Sequence, residues 1–227
     1  MTTYGQFCPV AKAMELLDER WTMLVVRELL LGSRHFNELR RGLPRMSPAL
    51  LSKRLRRLAR AGVIERHHDQ GRVSYTVTDA GRELLPVVEA LGRWGTRWIP
   101  QLGDADLDPQ LLLWDMHRNL EHGAMPDGRT VLRFEFTGVP AGAARWWLVA
   151  TPDGADVCDD DPGQPVTVTL TGPLRLVVRL WRGDVSWSAA LQSGLGVDGP
   201  EWARRDLPRW LRLSMFAPTP RPEKALV

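Results

Sequence analysis

The chain has 227 residues, 44% hydrophobic and 25% charged, a balance that excludes a disordered, collagen-like or low-complexity protein and leaves room for two cores of about 100 to 130 residues each. No apolar run reaches the roughly 18 residues of a membrane span, Met1-Thr2-Thr3-Tyr4-Gly5-Gln6 lacks a basic region followed by an apolar one, and Cys8 and Cys158 are too few for a disulfide scaffold; the expectation is a cytoplasmic protein with no membrane partner. The net charge of +3 is divided at Gly103: residues 1–103 carry 17 Lys and Arg against 10 Asp and Glu, giving +7, whereas residues 104–227 carry 13 against 17, giving −4.

In chain order, Cys8 to Leu17, Thr22 to Leu31, Phe36 to Arg41 and Pro48 to Ala61 have helical spacing, with Thr22 and Ser47 as N-caps. Ile64 to His68 and Arg72 to Val77, separated by Asp69-Gln70-Gly71, read as a hairpin with a polar tip. A last helix runs from about Asp79 to Trp98 on a stripe of Leu84, Leu85, Val88, Leu91, Trp94 and Trp98, with Pro86 kinking or interrupting its first turns. Pro100 to Pro109 mixes prolines, a glycine and three aspartates without apolar period and reads as a linker. The expected domains are residues 1–100 and 109–220.

Past the linker, a helical period in Leu111 to Leu120 gives way to alternation in Thr130 to Phe136, where Leu132, Phe134 and Phe136 share one strand face. Arg145 to Ala150 and Val166 to Leu170 are two further strands; Pro173 to Trp181 and Trp202 to Leu213 return to helix. The fold class is therefore α+β, a helical N-terminal domain followed by a mixed C-terminal one.

Chemistry enters at Met46 to Gly62. Ser47 can cap the first free amides, and Pro48 suits a first helical position, where a missing N–H costs nothing. At about 100° per residue, Leu51, Leu55 and Leu58 fall on one stripe, opposite Ala49, Ser52, Lys53, Arg56, Arg57 and Arg60. Between Glu38 and Glu65 there is no acid but there are eight Lys or Arg residues. Arg outnumbers Lys 27 to 3 in the whole chain, so abundant arginine is a compositional habit; the clustering without acids carries the information. A helix with one packing face and one cationic face fits the major groove of double-stranded DNA, its N-terminal residues meeting base edges and later arginines meeting phosphates.

Cys8-Pro9-Val10, Arg20-Trp21-Thr22, Arg34-His35-Phe36-Asn37-Glu38-Leu39, Ser47-Pro48, Leu55-Arg56, Ala61-Gly62-Val63-Ile64-Glu65-Arg66 and Tyr75-Thr76-Val77-Thr78-Asp79-Ala80-Gly81, in this order and spacing, resemble the HxlR-type winged helix-turn-helix regulators over about residues 7–98. The resemblance implies Ser47 to Ala61 as recognition helix, Glu65 to Val77 as wing, and a homodimer built from the N-terminal segment and the helix ending near Trp98. The DNA-facing set is then Ser47, Ala49, Ser52, Lys53, Arg56, Arg57 and Arg60, with Arg72 from the wing. The wing, Arg66 to Tyr75, departs from the family's proline-containing Val-Glu-Tyr pattern. In some relatives the cysteine at the position of Cys8 senses oxidants or electrophiles; the alternative is a small apolar residue at the dimer interface.

Thr171 to Trp181, Gly183 to Gly199 and Leu207 to Leu211 resemble the sterol-carrier-protein-like domain, a resemblance reaching back less clearly to Pro109. It implies a five-stranded sheet covered by helices on one face, with an apolar tunnel for a lipid-like ligand. Seven tryptophans fall in this half: Trp114, Trp146, Trp147, Trp181, Trp187, Trp202 and Trp210. Indoles fill cores, and several together also suit a flat hydrophobic ligand. The expected lining is Trp114, Phe134, Phe136, Trp147, Trp181 and Trp210, with Met116 and Met215 as adaptable fillers.

No phosphate loop, His-Glu-x-x-His motif or Gly-x-Ser-x-Gly elbow occurs, so no catalytic residue, cofactor or metal is expected and the chain reads as a non-enzyme. His117 and His122 are five apart, off a common helical face, and Asp159-Asp160-Asp161 before Pro162-Gly163 fits a solvated turn. The sequence thus points to a dimeric transcriptional regulator that reads a pseudo-palindromic operator and is controlled by a hydrophobic small molecule in its C-terminal domain. Two other readings stay open: a redox- or electrophile-responsive regulator acting through Cys8, and a lipid-binding or enzymatic C-terminal domain for which the winged helix serves only dimerisation.

Overall fold

A computed structural model describes residues 3–99 and 101–222, so Pro100 of the expected linker lies outside the described residues. The chain divides into two units between Gly92 and Arg93, each with its own core. That division falls inside a helix, upstream of the expected linker.

In the first unit, helices α1 (Pro9–Leu17), α2 (Thr22–Leu30), α3 (Phe36–Gly42) and α4 (Pro48–Arg60) precede strands β1 (Ile64–Asp69) and β2 (Arg72–Val77). Val25, Val26 and Leu29 of α2, Leu39 of α3, and Leu51, Leu55 and Leu58 of α4 make the core, closed on the hairpin side by Ile64 and Tyr75. Thr22 does not cap α2: it is the first helical residue, 1% exposed, and Trp21 takes the cap position in the left-handed region at φ 79°. Fully buried Glu28 is paired with Arg27 at 2.7 Å and sits so close to Gly42 that a Cβ there would overlap its carboxylate.

The helix expected from Asp79 to Trp98 is two helices, α5 (Asp79–Arg82) and α6 (Leu85–Trp98), and Pro86 lies in the first turn of the second. Proline is tolerated there because the first amides of a helix have no intrahelical acceptor.

In the second unit, α7 (Pro109–His117) is followed by β3 (Thr130–Thr137), β4 (Arg145–Thr151), β5 (Gly154–Cys158), β6 (Val168–Pro173), α8 (Leu174–Trp181), α9 (Trp187–Gln192), β7 (Gly196–Asp198) and α10 (Glu201–Trp210). The strands form one mixed sheet in the order β5-β4-β3-β6-β7, with β3 and β6 parallel and the other neighbours antiparallel. Register puts Leu132 opposite Leu148 and Val168, and Phe134 opposite Trp146 and Leu170, so one sheet face is continuously apolar. Against it pack Leu112, Leu113, Trp114 and Met116 of α7, Leu176, Val177 and Leu180 of α8, and Leu207 and Trp210 of α10. The segment before α7 is fastened to α8: Arg175 donates to the Leu102 carbonyl at 2.7 Å and pairs with Asp104 at 2.6 Å.

Candidate nucleic-acid interface

Helix α4 is bounded by purely local chemistry. The Ser47 hydroxyl accepts the Leu50 N–H at 3.3 Å, and Pro48 opens the first turn. At the other end Gly62, at φ 73°, lets its own N–H reach Ala59 O at 3.1 Å while Val63 N–H reaches Leu58 O at 3.0 Å. This reciprocal pair is the Schellman closure, and it needs a residue that enters the left-handed region without a Cβ penalty. With Leu51, Leu55 and Leu58 buried, the opposite side of the helix is fixed outward: Ser47, Ala49, Lys53, Arg56 and Arg60 are exposed and Ser52 is half-buried.

Arg57 departs from the expected outward set. Its guanidinium forms an ion pair with Glu19 and donates to the Glu15 carbonyl of α1, leaving the side chain 18% exposed. Arg54 turns to the same acid: it pairs with Glu19 and donates from Nε to the Arg20 carbonyl at 3.2 Å. Helical spacing puts residues 54 and 57 beside each other, and the acid that meets them comes from a segment 35 residues upstream of Arg54, which no local period could reveal.

The hairpin that follows is a tight one. Asp69 pairs with Arg72 across Gln70-Gly71, both at positive φ (46° and 79°), the primed turn whose twist matches a hairpin. Arg34-His35 adds a short third edge, with Tyr75 N–H bonded to Arg34 O at 2.8 Å and His35 Nδ1 3.2 Å from Val73 O. Arg66 and Arg72 are exposed on this wing, as are Arg40 and Arg45 ahead of α4, two of the eight cations between Glu38 and Glu65.

A three-helix core with a capped cationic helix and a two-stranded wing is matched over residues 16–102 by the family model described as HxlR-like helix-turn-helix. The HTH-type transcriptional regulator YvaP of Bacillus subtilis is 38% identical over 99 residues, spanning 42% of this chain and 92% of the relative. The chain belongs to the HxlR-like helix-turn-helix family. A second HTH-type regulator, sll1512 of Synechocystis, is 39% identical over 100 residues, 43% of this chain and 74% of its own length. Among solved structures, the reduced form of the transcriptional regulator YodB from Bacillus subtilis aligns with 30% identity and a TM-score of 0.36, covering 40% of this chain and 92% of that one. The first unit is thus the DNA-binding part of a transcriptional regulator of the winged-helix type.

Cys8 occupies the N-cap position of α1 in this HxlR-like unit, half-buried and with its carbonyl accepting Lys12 N–H at 3.0 Å. Several apolar side chains of the unit stay in solvent: Phe7 is 98% and Val10 69% exposed near the start of α1, and Val87 and Leu91 of α6 are exposed as well.

In the second unit the aromatic residues expected to line a pocket are packed instead. Trp114, Phe134, Phe136, Trp181 and Trp210 all belong to the buried core, together with Met116. Trp210 donates its indole N–H to Ala124 O at 2.8 Å, which satisfies the one polar atom it buries. Trp147 lies on the other face of the sheet, opposite Arg133, because residues 146 and 147 of a strand point to opposite sides. Met215, also of the expected set, lines a cleft of about 550 Å3 formed with Gly183, Val185, Ser186, Leu213, Ser214, Ala217 and Pro218. A smaller hollow of about 70 Å3 is lined by His122, Met125, Asp127, Thr130, Thr151 and their neighbours. His117 is committed to Trp114, its ring 4.1 Å from the indole. Among the described residues no group of three His, Cys, Asp or Glu could hold a metal ion, and no helix is long and apolar enough to cross a membrane.

Proposed function

We propose that the protein is a homodimeric transcriptional regulator that reads a pseudo-palindromic operator with α4 and changes its DNA affinity when an uncharged, hydrophobic small molecule binds the second unit. The observation that carries the DNA part is the outward row Lys53, Arg56 and Arg60 on a helix whose opposite face is locked into a core by three leucines. Three cations one turn apart, with Ser47 and Ala49 at the leading end, match a recognition helix whose N-terminus meets bases while its body meets phosphates. Dimerisation is supported by the exposed Phe7, Val10, Val87 and Leu91, apolar surface that an isolated protomer leaves in water. Two copies are also what operator half-sites about one helical turn apart require.

Support for the ligand comes from the 550 Å3 cleft, a volume within the range of small-molecule sites, whose lining holds no charged side chain. The sterol-carrier-like reading of residues 109–220 is supported by the five-stranded sheet with α7, α8 and α10 on its apolar face. Such a molecule regulates only through unequal affinity for the DNA-competent and incompetent arrangements. Mobility shifts on the operator, with and without a panel of lipids and polyketide-like compounds, test both parts. Arg56→Ala abolishing the shift in a folded protein is the expected result; an unchanged shift removes α4 from the DNA surface.

A second reading rests on the half-buried Cys8 at the head of α1, the helix whose Glu15 carbonyl holds Arg57 of α4. Oxidation or alkylation there would disturb a helix bonded to the recognition helix. A Cys8→Ser variant with an undiminished response to diamide and quinones would dismiss it.

A further inference from the structure

The five cations of α4 fall into two sets that sequence alone does not separate. Lys53, Arg56 and Arg60 project outward. Arg54 and Arg57 converge on one carboxylate, Glu19, in the connection between α1 and α2: each of its two oxygens takes one guanidinium. Each arginine also spends a second donor on backbone of the same segment, Arg54 on Arg20 O and Arg57 on Glu15 O. Arg54 is 9% and Arg57 18% exposed, so both guanidinium groups are largely withdrawn from water, while Glu19, at 33%, is partly so.

We infer that Glu19 is a positioning residue for DNA binding: it fixes the seat of the recognition helix against α1 and withholds Arg57 from the phosphate backbone, limiting the helix to the phosphate contacts of Lys53, Arg56 and Arg60. This rests on the reading of α4 as the DNA-binding helix. The physical reason is competition for one guanidinium. A phosphate would have to take Arg57 from a partly buried carboxylate and a carbonyl, and would leave Glu19, a third exposed, with a single guanidinium partner. Remove the carboxylate charge and that competition ends; the long arginine stem then lets Arg57 swing toward the strand.

Counterion release makes the count measurable. The slope of log affinity against log salt changes by about 0.9 for each phosphate neutralised, whatever the base sequence. On a non-operator duplex, Arg57→Gln keeps the wild-type slope and Arg56→Gln makes it shallower by about 0.9 per recognition helix. Glu19→Gln makes it steeper by about 0.9, and Glu19→Gln with Arg57→Gln returns it to the wild-type value. A lesion that merely loosened the fold would weaken binding without steepening the slope or being reversed by a second substitution. Should Glu19→Gln not fold, the Arg57→Gln and Arg56→Gln pair decides alone, because Arg57→Gln leaves the Arg54–Glu19 pair in place. Equal loss of slope in those two variants overturns the inference while leaving α4 on the DNA; no change of slope in either overturns it by removing the DNA reading beneath it.

Discussion

The two units use their distinctive side chains in opposite ways. In the first, five cations lie on one helix, and burial of three leucines turns three of the cations to solvent while Glu19 retains the other two. In the second, the aromatic residues are abundant, but Trp114, Phe134, Phe136, Trp181 and Trp210 are spent on a packed core, and the cleft that Met215 lines is walled by uncharged, non-aromatic residues. A charged side chain resists burial unless a partner waits for it, so the fate of an arginine turns on one distant acid. An aromatic ring is accepted anywhere the core has room, so density of tryptophan says little about where a ligand would sit.

The largest expected effect bears on that second unit. Phe134 is fully buried between Leu132 and the Trp146 and Leu170 rows, and Phe134→Ala should cost about 3 to 5 kcal/mol in urea unfolding followed by tryptophan fluorescence. A loss under about 1 kcal/mol would mean that the ring faces open space, and the contrast between the units would collapse. Gly42→Ala comes next. The new methyl would displace the buried Glu28 carboxylate from Arg27, at about 1 to 3 kcal/mol, read as a lowered urea midpoint with unchanged slope.

Arg57→Ala and Arg56→Ala sharpen the division of the cations. The first should cost about 1 to 2 kcal/mol, between the values for exposed and buried pairs because Glu19 is a third exposed. The second should stay within about 0.5 kcal/mol of the parent, since its side chain stands in solvent. Equal costs would erase the distinction. Smallest is a pH effect at the N-terminus. The Lys12 ammonium, with the Thr3 hydroxyl, holds the half-buried Glu15 carboxyl below its ordinary 4.5, and Tyr4 N–H donates to it at 3.1 Å. A depressed carboxylate stabilises above its unfolded pKa, and that contribution disappears as pH falls through the folded value. Amide exchange at Tyr4 should therefore lose protection, relative to α4, as the pH is lowered past 4.5; constant relative protection would count against the contact.

Much of the fold was legible because its signals are local. The start of α4 at Ser47-Pro48, its stop at Ala61-Gly62, the hairpin over Asp69 to Arg72 and the alternation of β3 all depend on residues within a few positions of one another. Strands β5 and β7 carry no such local signal: they are five- and three-residue edge strands containing Gly154, Asp156, Gly196 and Asp198, with no run of β-branched residues to mark them. Trp21 was equally hidden, since nothing in the residue type announces a left-handed cap.

The sequence by itself determined that one segment would be a capped, two-faced cationic helix followed by a hairpin, because capping, period and turn chemistry are short-range. Only the tertiary structure decided which of its arginines remain free, because Arg56 and Arg57 are chemically identical neighbours 100° apart on the helix. What separates them is Glu19, far away in sequence and brought within reach by the packing of α1 and α2 beneath α4. The tryptophans followed the same rule in the apolar sense: register across β3 and β4 placed Trp146 inside and Trp147 on the opposite face, a difference of one residue that no composition records.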